Sequence, residues 1–237
     1  MNEPIDIIVY SREDDDVLRA NLKTLSNITA HAHDLHLVVS TRSAAQNFNE
    51  ALEQCEHRYI VSMHRDTEVI DPMWAHKLVA HFDGDPLLGL AGPIELADLA
   101  AYDRFLADGY DWVKSLMPWS RQECVALSSS LWMFDQDRTD KLYWNEAMGG
   151  TCGGAEDDFC ARIRDKGLIV AAVSDVIVRH DDVPNPKDVW VKHGYEREET
   201  MWEAFRSHRE YLGSTYPHLF NNPNLPFPVW PDVKLHG

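Results

Sequence analysis

The chain has 237 residues, with 22 Lys and Arg against 39 Asp and Glu, and so a formal net charge of −17. That length suits one large α/β domain with an extension, and the 44% apolar and 10% aromatic content excludes wholesale disorder. The acid excess argues against general affinity for nucleic acids or anionic membranes, whose partners present Lys and Arg to phosphate.

Residues 5–10, IDIIVY, form a short β-branched apolar run that reads as a buried strand. Asp14, Asp15 and Asp16 follow where a helix N-terminus favours negative charge, ahead of the periodic Val17, Leu18, Leu22 and Leu25. The alternation continues with a strand at 35–40, a helix at 44–55, a strand at 58–63, a helix at 72–82 and a strand at 87–94. Strands alternating with helices imply a doubly wound, mainly parallel sheet, with ligands at the carboxyl ends of its strands. Residues 95–122 are acidic and aromatic with weak periodicity, and fit either an insertion or a loop with a helix. The run at 125–134 reads as a strand on the far side of the sheet. The Gly-rich 149–154 leads into a helix ended by Gly167, and LIVAAV and VIVRH complete the α/β part as two further strands. An amphipathic helix at 187–212 and the Pro-rich end form an appendage, which divides the chain into 1–185 and 186–237.

No run of about 18 apolar residues offers a membrane span, and MNEPIDIIVYSREDDD has no basic, cleavable leader pattern, so a cytoplasmic protein without integral membrane contact is expected. Cys55, Cys124, Cys152 and Cys160 form no CxxC pair and read as reduced thiols. HAHDLH at 31–36 could be drawn as a metal cluster, and hence as a hydrolase, but it precedes a strand and reads better as a solvated connection.

Three chemistry-bearing stretches follow strands. In MHRDTEV at 63–69, Asp66 and Glu68 are carboxylates suited to a hard divalent cation, or to a simple solvated turn. In GGAEDDF, Glu156, Asp157 and Asp158 open a helix, where they complement its dipole or supply a general base. In VIVRHDD, His180 ends a strand.

VYSRE, LVVS, AQNFNEAL, YIVSMHRD, GGAEDDFCARIRDKG and VRHDD occur in an order that resembles the GT-A glycosyltransferases, particularly the inverting family 2 type, over roughly residues 4–182. The resemblance implies a mixed, mainly parallel GT-A sheet flanked by helices, with a C-terminal helical tail. It also implies metal-dependent, inverting transfer of a sugar from a UDP- or GDP-sugar to an acceptor hydroxyl group. By the same resemblance His64-Arg65-Asp66 stands in place of the DXD motif. Asp66 and His180 become ligands for Mn2+ or Mg2+, and His64 and Arg65 lie near the nucleotide. Tyr10, Ser11, Glu13, Ser40 and Asn47, with Gln46 a weaker candidate, would line the nucleotide site. Ser40 stands where the family has a base-reading Asp. Glu156 takes the position of the catalytic base, with Asp157 as its substitute, and Trp144, Gly153, Gly154 and Asp158 belong to the acceptor site or its loop. The departures at Ser40, His64 and Ala155 leave a second reading, a nucleotide-sugar-binding or assembly domain without catalysis. The acceptor, whether glycan, protein, lipid-linked group or modified nucleobase, is not selected.

Overall fold

The computed structural model describes residues 3–96, 99–116, 120–127, 130–148, 154–180 and 197–225. Its elements alternate as the apolar pattern dictates. β1 (Ile5–Ser11) is buried along its whole length and leads into α1 (Asp16–Ile28), where the Asp15 carboxylate accepts the Leu18 amide at 3.0 Å. β2 (His33–Val39) follows, then α2 (Ala44–Leu52), opened by a Ser43/Gln46 capping box. β3 (Tyr59–His64) and β4 (Thr67–Val69) are separated by a two-residue turn. Asp71 accepts the Met73 amide at 2.8 Å in the turn that starts α3 (Trp74–Gly84), so this helix begins two residues after Pro72.

β5 (Leu88–Leu96) precedes α4 (Leu99–Leu116), which kinks where Gly109 takes φ 61°. The weakly periodic stretch thus contains a helix, followed by the short β6 (Arg121–Glu123). β7 (Leu131–Asp135), α5 (Gln136–Thr139) and a 3-10 turn at Glu146–Met148 lead to α6 (Gly154–Asp165). Gly167, at φ 78°, ends that helix, and the Leu168 amide reaches back to the Ile163 carbonyl. β8 (Ile169–His180), α7 (Glu198–Thr215) and α8 (Pro217–Phe220) complete the described chain.

The strands lie in the order β2-β1-β3-β7-β5-β8-β4, with β6 also on β8. β1 pairs in parallel with β2 and β3, and β5 with β8. β7 runs antiparallel between β3 and β5, in the middle of the sheet and not on its far side. Its residues are fully buried, and an apolar run carries no information about pairing direction. Residues 169–180 form one long strand instead of two, because register shifts in its pairing with β5 absorb the polar Ser174 and Asp175. TEV at 67–69 is likewise a strand, antiparallel to the end of β8, and not a loop.

The sheet has an apolar layer on each face. One packs β1 and β3 against α1 and α3 through Leu18, Leu25, Trp74 and Phe82. The other gathers Phe48, Trp132, Phe134, Trp144 and Phe159 between α2 and α6, and draws in Leu212, Tyr216 and Leu219 from the C-terminal helices. The expected helix at 187–212 is observed from Glu198 onward, residues 187–196 lying outside the described part. α7 packs closely on α6: a Cβ at Gly154 would lie 2.4 Å from His208 Nδ1, so only glycine admits this approach. Among the described residues no helix is long and apolar enough to cross a membrane, and Cys55, Cys124 and Cys160 are free and buried.

Candidate functional site

The site forms where β3, β5 and β8 end and β4 begins. Thr67 stands in register with His180, and Glu68 with Arg179, so the short β4 delivers the preceding residue, Asp66, to the last residue of β8. His180 Nε2 lies 3.4 Å from Asp66 Oδ1, with both side chains about nine-tenths buried. Among the described residues this Nε2 has no hydrogen-bond partner, so the approach to Asp66 is electrostatic and not an aligned hydrogen bond. On the other side of the ring, His180 Nδ1 lies 3.4 Å from Glu95 Oε2 at the end of β5. Burial lowers the His180 pKa, but Asp66 and Glu95 outweigh it and push it up to about 10.

His64 completes the group. Its ring stands 5.4 Å from that of His180, edge to face, and one ligand atom from each of His64, Asp66 and His180 lies within 4.8 Å of the others. His64, expected beside the nucleotide, therefore sits with the two expected metal ligands. Two imidazoles and a carboxylate, one imidazole nitrogen being buried without a hydrogen bond among the described residues, fit a divalent cation, and the imidazoles favour Mn2+ over Mg2+.

His64 also links this group to α6, since its Nε2 lies 3.9 Å from Glu156 Oε1. The next residue, Asp157, has its carboxyl pKa raised to about 8, first by burial and then by the neighbouring Glu156 charge, with Arg209 of α7 opposing. Asp158 points elsewhere. It is buried in an ion pair with Arg162 at 2.7 Å and accepts from the Tyr216 hydroxyl at 3.3 Å, so it braces α6 against the C-terminal helices. Gly154 starts α6 under His208, and Gly153 lies outside the described residues.

The remaining expected residues divide between wall and scaffold. Tyr10 packs edge to face on His64 at 5.7 Å and on Trp144 at 5.8 Å, which places it beside the site. Trp144 itself is 2% exposed and stacks on Phe48 at 4.7 Å, so it backs the wall and presents no face to a sugar. The Ser11 hydroxyl donates to the Glu13 carbonyl at 2.6 Å, shaping the turn after β1 and leaving Glu13 exposed. Ser40 accepts from Arg42 through its hydroxyl, and its carbonyl accepts from Asn47 Nδ2 at 3.2 Å. Asn47 is 1% exposed, so it fixes the end of β2 from within, while Gln46 serves the capping box of α2. Arg65 pairs with Asp15 at the start of α1, and its carbonyl accepts from Asn21 Nδ2 at 2.5 Å. Glu68 faces Arg179 at 3.3 Å.

Glu95 and Ser130 were not among the residues singled out in the sequence. The signal for Glu95 was present, a carboxylate just past an apolar strand, but it gains meaning only when β5 and β8 pair. HAHDLH is dispersed and only partly solvated: His33–His36 begin β2, His31 is 2% exposed and packs on His76, and His36 Nε2 meets the buried Asp6 at 2.6 Å, while Asp34 and Leu35 are exposed. Asp6, His36 and Cys55 also lie close together, but the Asp6 carboxylate is already satisfied by His36 and by the amides of Glu56 and His57. A groove of about 600 Å3 beside α2 is lined by side chains that pair with one another, Arg42 with Glu50, Asn49 with Glu146 and Tyr143 with Glu53.

Comparison with known proteins bears on the fold. Residues 7–111 match a glycosyltransferase-like family, and no curated protein matches the chain. Among solved structures, the chain is similar to the mannosyltransferase PcManGT from Pyrobaculum calidifontis in complex with GDP-Man and Mn2+, with a TM-score of 0.53 and 15% identity over 94% of this chain and 65% of that one. It is also similar to GalNAc-T7 with UDP, GalNAc and Mn2+, with a TM-score of 0.56 and 10% identity over 91% and 51%. A mycobacterial protein aligns at 0.52 and 12% over 83% and 76%. The chain thus spans about two thirds of the length of the first and half of the second, and at these identities the likeness is one of fold.

Proposed function

We propose that this chain, which has the GT-A fold and resembles the glycosyltransferases of that fold, transfers a sugar from a nucleoside-diphosphate sugar to an acceptor hydroxyl group, in a metal-dependent reaction with inversion. The observation that carries the reading is the convergence of Asp66, His180 and His64 at the strand ends, with Glu156 of α6 facing His64. Asp66 and His180, with His64, would hold Mn2+ or Mg2+. The chemistry such a cation supplies is neutralisation of the charge on the departing nucleoside diphosphate, which a cleft of carboxylates would otherwise repel.

The chain's own residues do the rest. Tyr10 and the turn at Ser11 and Glu13 border the side of the site where β1 ends, and form the nucleotide wall in this reading. Glu156 takes the proton from the acceptor hydroxyl group. Asp157, with its pKa near 8, is largely protonated at neutral pH, which makes Glu156 the better placed acceptor of that proton. With Glu156 as the single base and no carboxylate assigned as a nucleophile, the acceptor oxygen displaces the nucleoside diphosphate directly, which inverts the anomeric centre. Arg209 approaches Asp157 from α7, so the C-terminal segment, taken as an appendage to a catalytic unit of residues 1–185, contributes to the acceptor side.

The test is calorimetry with a panel of UDP- and GDP-sugars, with and without Mn2+, followed by a product assay. Metal-dependent donor binding with transfer or donor hydrolysis supports the reading. Donor binding without either reaction would replace it with a binding domain of the same fold.

A further inference from the structure

We propose that Glu95 is a positioning residue for the divalent-cation site: its carboxylate accepts a hydrogen bond from the Nδ1–H of His180, fixes the ring, and leaves Nε2 as the ligand atom turned to Asp66. The proposal rests on the metal-dependent donor site put forward above and extends it to residues outside that ligand set.

Glu95 Oε2 and Asp66 Oδ1 stand at opposite nitrogens of one buried imidazole, each at 3.4 Å. An imidazole held by a carboxylate at Nδ1 can turn Nε2 to a cation in place of a proton, and among the described residues Nε2 is the atom left buried without a hydrogen bond. Glu95 is itself held. Its Oε1 accepts from the Ser130 hydroxyl group, and its backbone pairs in register with Val178, two residues before His180.

Ser130 joins the two halves of the site. It is fully buried, and its carbonyl accepts from the His64 amide at 2.9 Å and from the Thr67 hydroxyl at 2.8 Å, on either side of Asp66. One residue therefore ties the turn that carries Asp66 to the carboxylate that orients His180. The separation between the two ligands is set by β5 and the start of β7, which contribute no ligand themselves.

Mn2+ binding to the full chain, measured by calorimetry without donor, tests the role. Expected is one Mn2+ bound by the wild type, weakened about 10- to 100-fold in Glu95→Ala. Glu95→Gln should fall less, because its amide oxygen still accepts from Nδ1, and the melting temperature in chelator should change little in either variant. Mn2+ affinity in Glu95→Ala within twofold of wild type overturns the proposal. If Glu95→Ala does not fold, Ser130→Ala, which loosens Glu95 without removing it, should weaken Mn2+ severalfold, and unchanged affinity there overturns the proposal equally. A loss in Glu95→Gln as large as in Asp66→Ala would make Glu95 a ligand and not a positioning residue. A wild type that binds no Mn2+ removes the donor-site reading itself, an outcome distinct from a wild type that binds Mn2+ and a Glu95→Ala that still does.

Discussion

Thr67 and His180 face each other in antiparallel register, and that pairing brings Asp66 to 3.4 Å from the His180 imidazole. Two residues more than a hundred positions apart become one site because a three-residue strand adds to the end of a twelve-residue one. The Thr67 hydroxyl, donating to the Ser130 carbonyl, secures the short strand. Thr67→Val keeps the branched shape and removes that bond, and is expected to cost about 1 kcal/mol of stability in urea unfolding, since Ser130 keeps its bond from the His64 amide.

Glu156 and Asp66 should separate chemistry from donor binding. Glu156→Gln is expected to bind donor with near wild-type affinity and to lose transfer by at least about 100-fold, the usual weight of a general base. Asp66→Ala should lose donor binding itself. Equal loss of donor affinity in both variants would contradict the assignment of roles.

Adjacent aspartates on α6 should respond with opposite signs. The Asp157 pKa is raised to about 8 in the folded chain, so between the ordinary carboxylate value and pH 8 the folded state holds more protons than the unfolded one. Its contribution to stability is therefore full in acid and lost as pH rises through about 8. Asp157→Asn removes that loss and, with the side chain still partly in contact with solvent, is expected to stabilise by ~1–3 kcal/mol at pH 8 and hardly at pH 4. Asp158→Ala strips Arg162 and Tyr216 of a buried partner and is expected to destabilise by ~2–4 kcal/mol. Thermal unfolding of both variants across pH 4 to 8 reads the contrast.

Arg65 is a structural residue in this arrangement, engaged with Asp15 at the start of α1. Arg65→Ala should lower stability by about 1 kcal/mol, as for other partly exposed ion pairs, with donor affinity reduced less than in His64→Ala. A donor affinity lost in Arg65→Ala and kept in His64→Ala would reverse the two roles.

Much of the fold is legible in local pattern. The first three strands and the two intervening helices follow from β-branched runs, the Asp15 cap and the Ser43 box, and each lies within a few residues of its expected place. Pairing direction and register are another matter. Nothing in LWMFD says that it runs antiparallel in mid-sheet, and nothing in TEV marks it as a strand, because three residues carry no periodicity. Asp66, His180 and Glu156 were nameable as candidates from motif order, whereas Ser130 has no local signature and the carboxylate after the apolar run at Glu95 joins the group only once β5 and β8 pair. Trp144 and Asp158 show the converse: residue types that suit an acceptor site are used here for packing and bracing.

In the proposed site Asp66 and His180 hold the donor through a divalent cation. Calorimetric titration of a UDP- and GDP-sugar panel into wild type, Asp66→Ala and His180→Ala, each with Mn2+ and with chelator, tests it most directly. The wild type is expected to bind at least one donor in Mn2+, with binding abolished by chelator and by either substitution; undiminished binding in chelator, or by Asp66→Ala, would show that the donor is held without the cation.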